Sequence, residues 1–313
     1  MDDGAGRVPY EPLINPRAGI DERFIRWPIP SGVGIDHGRE SAMPVLSAVA
    51  LKGGVGKTTL THMIAGALAL GRARVLCLDN DPQGSLSSGM FGPGAVEAMD
   101  PAETIAALYA GLDPLPEQVI RPSGIEGIDV VAGSKAAARF NVPEPHLTPA
   151  ELQTCLRSFV AEVRDQYDFV LIDNPPNLCA ATWAALIASD HVLVPCVPED
   201  YGSASLSPVF QSVRLVASGP NPRLHLLGLV LTMVQPRLAV HQLYEQTLRG
   251  IYGAGIFAAR IPLAADIKEA ISRRQPVTHA KPRGASAKAF KALVGELVER
   301  IAAHAASRTQ EAA

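Results

Sequence analysis

The sequence predicts an α/β fold, a doubly wound and mostly parallel sheet flanked by helices. Short β-rich runs alternate with helical stretches from residue 44 onward, which is typical of a parallel sheet with crossover helices. Most strand segments are continuously apolar, as expected for strands covered on both faces. The 47% hydrophobic content can fill a large core, although only 5% of residues are aromatic. Ligands of such folds bind at the carboxyl ends of the strands.

The predicted elements follow one another with short connections. Apolar runs predict strands at 45–51, 74–78, 128–132, 169–173, 192–197, 226–234 and 256–261. Helical patterns lie between them, for example at 58–70, 149–164 and 288–303. The sequence therefore predicts a single domain over 43–305 and a disordered tail over 306–313. Residues 1–42 are rich in proline and glycine, which favours a flexible or extended arm or a belt on the domain; the sequence leaves both open.

Composition excludes several classes of protein. The cysteines are Cys77, Cys155, Cys179 and Cys196, with no C-x-x-C pair, which argues against a zinc ribbon, an iron–sulfur site or a disulfide scaffold. No charged start leads into an apolar block, and the longest apolar runs are too short to cross a bilayer. A reduced, cytoplasmic setting is the prediction.

The stretch SAVALKGGVGKTTLTHMIAGALAL, residues 47–70, predicts a phosphate-binding loop between a strand and a helix. Glycines let backbone N–H groups close around phosphate oxygens at a helix N-terminus. Lys57 is placed to reach the phosphates and Thr58 to bind Mg²⁺. Leu51 stands where the general motif has its first glycine, and Lys52 follows it. The predicted nucleotide-binding residues of the loop are Gly53, Gly54, Val55, Gly56, Lys57, Thr58 and Thr59.

Three aspartates follow apolar strands. Asp79 and Asp81 lie in LCLDNDPQGS, and Asp173 lies in FVLIDNPPN. Carboxyl ends of parallel strands meet at one edge of the sheet, so these carboxylates are expected near the phosphate loop. Carboxylate oxygens are suitable ligands for Mg²⁺, which keeps much of its water. Thr58 and Asp173 are therefore the predicted magnesium ligands.

KGGVGKTT, DNDPQGS and FVLIDNPPN together resemble the ParA/MinD superfamily of deviant Walker A P-loop ATPases, and are most similar to its ParA partition proteins. The resemblance covers roughly residues 44–300, because VPCVPEDYGSASL, LTMVQPR and RIP also fit the family pattern. It implies an ATP-sandwich homodimer with Mg²⁺. Lys52 would reach the nucleotide of the other subunit, as an arginine finger does in trans.

The resemblance also implies roles for other residues. Asp81 would orient the attacking water, and Asp79 would support the metal and the nucleotide-sensing loop. Met233 and Pro262, at strand ends, would flank the adenine. Asn80 and Asn174 occupy positions where the family usually has apolar or hydroxylated residues. The nucleotide preference and the hydrolysis rate therefore stay open.

A basic window predicts nonspecific binding to double-stranded DNA. Residues 260–291 contain eight Lys or Arg and only two acids, Asp266 and Glu269. Such a surface can neutralise backbone phosphates without reading sequence. The resemblance supports this assignment, because ParA proteins bind DNA through C-terminal basic residues. The predicted DNA-binding residues are Arg237, Lys268, Arg273, Arg274, Lys281, Arg283 and Lys288.

The prediction is thus a cytoplasmic, nucleoid-associated ATPase for plasmid or chromosome partition, released from DNA when a ParB-type adaptor stimulates hydrolysis. One alternative is a positioning ATPase for another cytoplasmic cargo on the nucleoid. Another is a MinD-like membrane-cycling ATPase, which would need an amphipathic C-terminal helix. The apolar stripe of that helix is expected to be core packing instead, so no membrane partner is predicted. It comprises Phe290, Leu293, Val294, Leu297, Val298 and Ile301.

Overall fold

Eight strands form one sheet in the computed structural model, which describes residues 43–199 and 206–312. The predicted arm, residues 1–42, lies outside the described residues. The strands are β1 (Val45–Ala48), β2 (Val75–Asp79), β3 (Ile120–Pro122), β4 (Ile128–Val131), β5 (Phe169–Asp173), β6 (His191–Cys196), β7 (His225–Val234) and β8 (Ile256–Pro262). Their order across the sheet is β3-β4-β2-β5-β1-β6-β7-β8. All pairs are parallel except β3 with β4, so the predicted fold class is confirmed.

Helices connect and cover these strands. The α-helices are α1 (Lys57–Leu70), α2 (Ser85–Phe91), α3 (Pro93–Glu97), α4 (Ile105–Tyr109), α5 (Pro116–Val119), α6 (Ala150–Glu162), α7 (Ala180–Ala188), α8 (Leu206–Ala217), α9 (Ala239–Tyr252), α10 (Ala265–Ser272), α11 (Val277–Ala280) and α12 (Ala285–Ala312). The structure differs from the sequence prediction at the end of α12, because residues 306–312 continue the helix instead of forming a disordered tail. This segment lacks proline and glycine and contains alanines, which favour helix.

The two faces of the sheet have separate cores. One face packs against α1, α2 and α10 to α12, and the other against α4 and α6 to α9. Residues Leu60 to Leu68 of α1 are all buried, because this helix lies between the sheet and the C-terminal helices. Strands β2 and β6 are buried along their whole length, which explains why all their residues except Asp79 and His191 are apolar.

The apolar stripe of α12 lies in the core. Phe290, Leu293 and Leu297 are fully buried, and the neighbouring valines and isoleucine pack against the same cluster. The stripe therefore covers the sheet, as the sequence predicts. No helix in the described part of the chain is long and apolar enough to cross a membrane.

The short antiparallel edge strand β3 was not predicted. Its three residues, Ile-Arg-Pro, are too few to show a period, and they are half-buried or exposed. Pro122 suits an edge, because proline cannot donate a hydrogen bond to a second neighbouring strand.

Candidate functional site

The loop between β1 and α1 has the geometry of an anion cradle. Gly54 and Gly56 take positive φ angles of 75° and 89°, a conformation that other residues rarely adopt. Gly56 is the N-cap of α1 and provides no side-chain cap, so the first N–H groups of the helix are not capped by a side chain. A Cβ atom at Gly53 or Gly54 would meet no atom within 4 Å. The loop therefore presents backbone donors to space that a phosphate can fill.

Lys57 is the first residue of α1 and is 7% exposed. Burial lowers the pKa of its ammonium group, while the charges of Asp173 and Asp81 raise it. These two carboxylates therefore lie close enough to act on the lysine electrostatically. An ammonium group with little water around it attracts phosphate oxygens strongly.

Thr58 and Asp173 form a direct contact across the loop. The Thr58 hydroxyl donates a hydrogen bond to Asp173 Oδ2 at 2.7 Å. The other carboxyl oxygen, Oδ1, is buried and has no hydrogen-bond partner in the described residues. Burial raises the pKa of Asp173 well above its usual range, and the charge of Asp79 raises it further. Thr59, the next residue, is half-buried in the same helical turn.

Asp79 ends β2 directly beside Asp173, since the two residues are paired in the strand register. Its Oδ2 accepts hydrogen bonds from Ser87 N–H at 2.7 Å and from the Ser87 hydroxyl at 2.6 Å. Its Oδ1 is buried without a partner in the described residues, and burial raises the pKa of this carboxyl. Gly133 lies so close that a Cβ there would be 2.8 Å from Asp79 Cγ.

These buried oxygens fit a Mg²⁺ ion. Two neighbouring carboxyl groups each have one buried oxygen without a partner, which is costly unless a cation is near. Mg²⁺ takes one or two carboxylates together with waters and substrate phosphates, so two carboxyl groups beside a phosphate loop are suitable ligands for it. Thr58, Asp79 and Asp173 are the residues that could hold or support it.

Asp81 follows β2 and is 9% exposed. Its Oδ1 accepts a hydrogen bond from Gln83 N–H at 2.9 Å, which fixes the carboxyl in a local turn. Its other oxygen makes no hydrogen bond among residues 43–199 and 206–312 and is therefore available to a water or ligand. The structure thus brings Asp81 to the same edge as Lys57 and Asp173.

Lys52 lies at the rim of the loop and contacts a different partner. Its Nζ is 3.4 Å from Glu199 Oε2, and both side chains are partly exposed. Glu199 Oε1 is in turn 3.9 Å from His241 Nε2. This contact has no signal in the sequence, because 147 residues separate Lys52 from Glu199.

The end of β7 supports the loop. Met233 has a positive φ of 53° and packs with Val55 and Val197. The Thr232 hydroxyl donates a hydrogen bond to Val55 O at 2.8 Å, which ties the loop to this strand. Pro262 ends β8 and is paired in register with the last residue of β7. Met233 and Pro262 thus lie at the same sheet edge as the loop.

An amide network behind the carboxylates was missed by the sequence analysis, which noted Asn80 and Asn174 only as unusual residues. Asn80 Nδ2 donates to Asn174 Oδ1 at 2.9 Å and to Ala181 O at 2.8 Å. The Tyr109 hydroxyl donates to Asn80 Oδ1 at 2.7 Å, and Asn174 Nδ2 donates to Ala48 O at 3.2 Å. This network joins β1, β2, α4 and α7 and fixes the strand ends that carry the aspartates.

The predicted DNA-binding residues all lie on the surface. They occupy the loop after β7, the helices α10 and α12, and the loops that join α10 to α12: Arg237, Lys268, Arg273, Arg274, Lys281, Arg283 and Lys288. Two of them also have contacts within the chain. Lys281 Nζ is 2.7 Å from Glu269 Oε2, and the Arg274 guanidinium lies against Gly92.

Comparison with known proteins gives consistent matches. A family model described as an AAA domain matches residues 43–226. The chromosome-partitioning ATPase Soj of Thermus thermophilus is 33% identical over 250 residues, which cover 80% of this chain and 93% of that protein.

Two solved structures share the fold. The apo McdA structure from Cyanothece has a TM-score of 0.71 at 20% identity, covering 82% of this chain and 99% of that chain. Cobyrinic acid a,c-diamide synthase from Mycobacterium smegmatis, with a bound ATP analog and magnesium, has a TM-score of 0.67 at 24% identity. It covers 82% of this chain and 94% of that chain.

Proposed function

Because this chain belongs to the ParA/MinD family of P-loop ATPases, we propose that it is an ATP-dependent DNA partition ATPase. It forms an ATP-sandwich dimer, binds double-stranded DNA nonspecifically, and leaves DNA when a partner stimulates hydrolysis. As in the family, the cofactors are ATP and Mg²⁺. The observation that carries the proposal is the edge where Lys57, Thr58 and three aspartates meet around a glycine loop.

The loop residues bind the phosphates. Backbone N–H groups from Gly53 to Thr59 surround the phosphate oxygens, and Lys57 adds a positive charge. Thr58 and Asp173 would hold Mg²⁺, with Asp79 beside them. A bound Mg²⁺ would supply positive charge against the charge of the nucleotide phosphates. Met233 and Pro262 flank the adenine.

Hydrolysis needs a water molecule in line with the γ-phosphate. Asp81 orients this water, whose oxygen bonds to the γ-phosphorus while the bond to ADP breaks. Lys52 of one subunit stabilises the negative charge at the other subunit's phosphates, as a cation supplied in trans does in related chemistry. Since Lys52 lies at the exposed rim of the loop, it is well placed to reach a second subunit.

DNA binding uses the seven surface cations named above. Lysines and arginines on such a surface contact backbone phosphates and release counterions, so affinity falls steeply with salt. Arg273 and Arg274 are adjacent and exposed and make no ion pair in the described residues. The DNA partner places the ATPase on the nucleoid in the cytoplasm, and the expected adaptor is a ParB-type protein. Chromosome partition is the favoured role because Soj carries that name.

Binding to a random-sequence DNA duplex tests the proposal. It is measured with ATP and Mg²⁺, with ADP, and without nucleotide, across a series of salt concentrations. We expect binding only with ATP. The double variant Arg273→Ala/Arg274→Ala should weaken DNA binding. The plot of log binding constant against log salt concentration should become less steep by about 2, one for each lost phosphate contact.

A matched control is the double variant Arg157→Ala/Arg223→Ala. Both arginines are exposed but lie outside the basic window. The control should bind DNA as the parent does. Intact ATPase activity with no DNA binding in any nucleotide state would refute the partition role, and liposome binding would then support the membrane-cycling alternative.

The trans role of Lys52 has its own test. Lys52→Ala should keep ATP binding but lose ATP-dependent dimers in sedimentation velocity experiments, because the lysine acts across the interface. Lys135→Ala is the control, since Lys135 is exposed and has a 3.4 Å ion pair with Glu97. Normal ATP-dependent dimers of Lys52→Ala would contradict the assignment.

A further inference from the structure

A cavity of about 330 Å³ lies between α9 and the ends of β7 and β8. Its polar lining comes from α9, with His241, Gln242, Glu245 and Arg249, and from Arg260 on β8. Its volume lies at the lower end of the range for small-ligand sites, about 300–1,000 Å³. None of these residues belongs to the phosphate loop or to the magnesium site.

The charged side chains of this cavity have an excess of positive charge. Glu245 is 9% exposed, and its Oε1 accepts hydrogen bonds from Arg249 Nε and Arg260 Nε, both at 2.7 Å. One carboxylate faces two guanidinium groups, so the cluster carries one net positive charge. Both guanidiniums are held on the same carboxyl oxygen, which keeps them side by side.

Several donors of the cluster remain available. Arg249 is fixed by a second bond from Nη2 to Phe257 O at 3.1 Å. Arg260 is 56% exposed, and within residues 43–199 and 206–312 its side chain makes no hydrogen bond other than the one from Nε. The terminal amino groups of Arg260 are therefore free to bind a ligand.

His241 adds a donor at the edge of the cavity. Its Nδ1 accepts a hydrogen bond from Gln235 N–H at 3.1 Å, so the proton of the neutral ring is on Nε2. Nε2 is 3.9 Å from Glu199, whose charge is matched by Lys52 at 3.4 Å. The side chain of Glu199 thus lies between His241 of the cavity and Lys52 of the phosphate loop.

We propose that this cavity binds a small anion, with a carboxylate or phosphate group held by the guanidiniums of Arg260 and Arg249. The planar fork of a guanidinium matches the oxygens of both groups, and two forks side by side strengthen the attraction. A cation is disfavoured because the cluster is positive. Glu245 is a positioning residue, because it orients both arginines and leaves their outer donors to the ligand.

Calorimetric titration of the full chain tests this site. The protein is saturated with ADP and Mg²⁺, which occupy the phosphate loop up to the β-phosphate, and it is titrated at low salt with inorganic phosphate or with glutarate. Because ADP leaves the γ-phosphate position open, only binding that depends on Arg260 supports the proposal, and the probe that binds in this way assigns the group as phosphate or carboxylate. Arg260→Gln should weaken that binding at least tenfold. Arg157→Gln, an exposed arginine on α6, should leave it unchanged.

Two results would overturn the proposal. One is that neither probe binds; the other is that Arg260→Gln binds as tightly as the parent. Because Arg260 is more than half exposed, the variant is expected to fold, and its urea unfolding midpoint checks this. Failure of the chain to bind ADP would count against the proposed ATPase function and not against this site. The effect of Arg260→Gln on probe binding could still be measured in that case.

Discussion

Replacing His62 with leucine should make the protein less sensitive to acid. His62 lies on α1, is 2% exposed, and its Nε2 has no hydrogen-bond partner among the described residues. Burial lowers the pKa of this imidazole from 6.5 to about 4, and His279 adds a smaller electrostatic effect in the same direction. The folded protein therefore keeps His62 neutral at pH values where the unfolded chain protonates it.

The sign and size of the effect follow from these pKa values. Between pH 6.5 and about 4 the unfolded state binds more protons than the folded state, so the free energy of unfolding falls as the pH falls. The stabilisation due to the neutral His62 is fully present above pH 6.5. From pH 7.5 to pH 5.0 the loss due to His62 is about 2 kcal/mol. The variant His62→Leu cannot titrate at this position and should not show this loss.

Urea unfolding of the nucleotide-free chain at pH 7.5 and pH 5.0 measures the effect. The difference in unfolding free energy between variant and parent should shift by about 2 kcal/mol in favour of the variant on acidification. Any packing change made by leucine is present at both pH values and cancels in this comparison. His146→Gln, at an exposed position, is the matched control. Equal differences at the two pH values would refute the reasoning.

Three further substitutions probe packing and the amide network, all by urea unfolding at pH 7.5. Gly66→Ala should destabilise the chain by about 1–3 kcal/mol, because its Cβ would be 2.1 Å from Pro276 Cβ. Gly295→Ala on α12, where a Cβ meets nothing within 4 Å, should stabilise the chain by up to about 1 kcal/mol. Equal changes in unfolding free energy for Gly66→Ala and Gly295→Ala would contradict the packing argument. Tyr109→Phe should cost about 1–3 kcal/mol, since it removes the donor to the buried Asn80 Oδ1; an unchanged unfolding midpoint would contradict this.

The sheet was largely predictable because burial on both faces leaves a clear signal. Strands β2 and β6 are buried at every position, and apart from Asp79 at the end of β2 and His191 at the start of β6 they appear in the sequence as apolar runs. The edge strand β3 has no such signal, because its residues are few and partly exposed. The end of α12 was also mispredicted, since its composition resembles that of a solvent-exposed tail.

The phosphate loop and its aspartates were predictable from local sequence. A glycine-rich turn that carries Lys57 and Thr58 after an apolar strand is typical of phosphate binding and of few other functions. Asp79 and Asp173 follow strands, and parallel strands place their carboxyl ends at one edge. The structure places the Thr58 hydroxyl 2.7 Å from Asp173 Oδ2, and the role of both residues as magnesium ligands stays a prediction.

Contacts between distant side chains had no local signal. Lys52 with Glu199, and Arg260 with Glu245, join residues that no pattern in the sequence connects. Each pair depends on where a helix lies against the sheet. Such contacts are set by the tertiary packing, so they could be found only in the structure.

The strand register explains why this edge needs a cation. Asp79 and Asp173 are paired across β2 and β5, so the fold places two buried carboxyl groups side by side. Ser87 and Thr58 satisfy one oxygen of each, and the other oxygens have no partner in the described residues. Two neighbouring carboxylates in such a place disfavour ionisation unless positive charge is near. Lys57 offsets only part of this charge, and a divalent cation arriving with a nucleotide would offset the rest, which couples nucleotide binding to the stability of this edge.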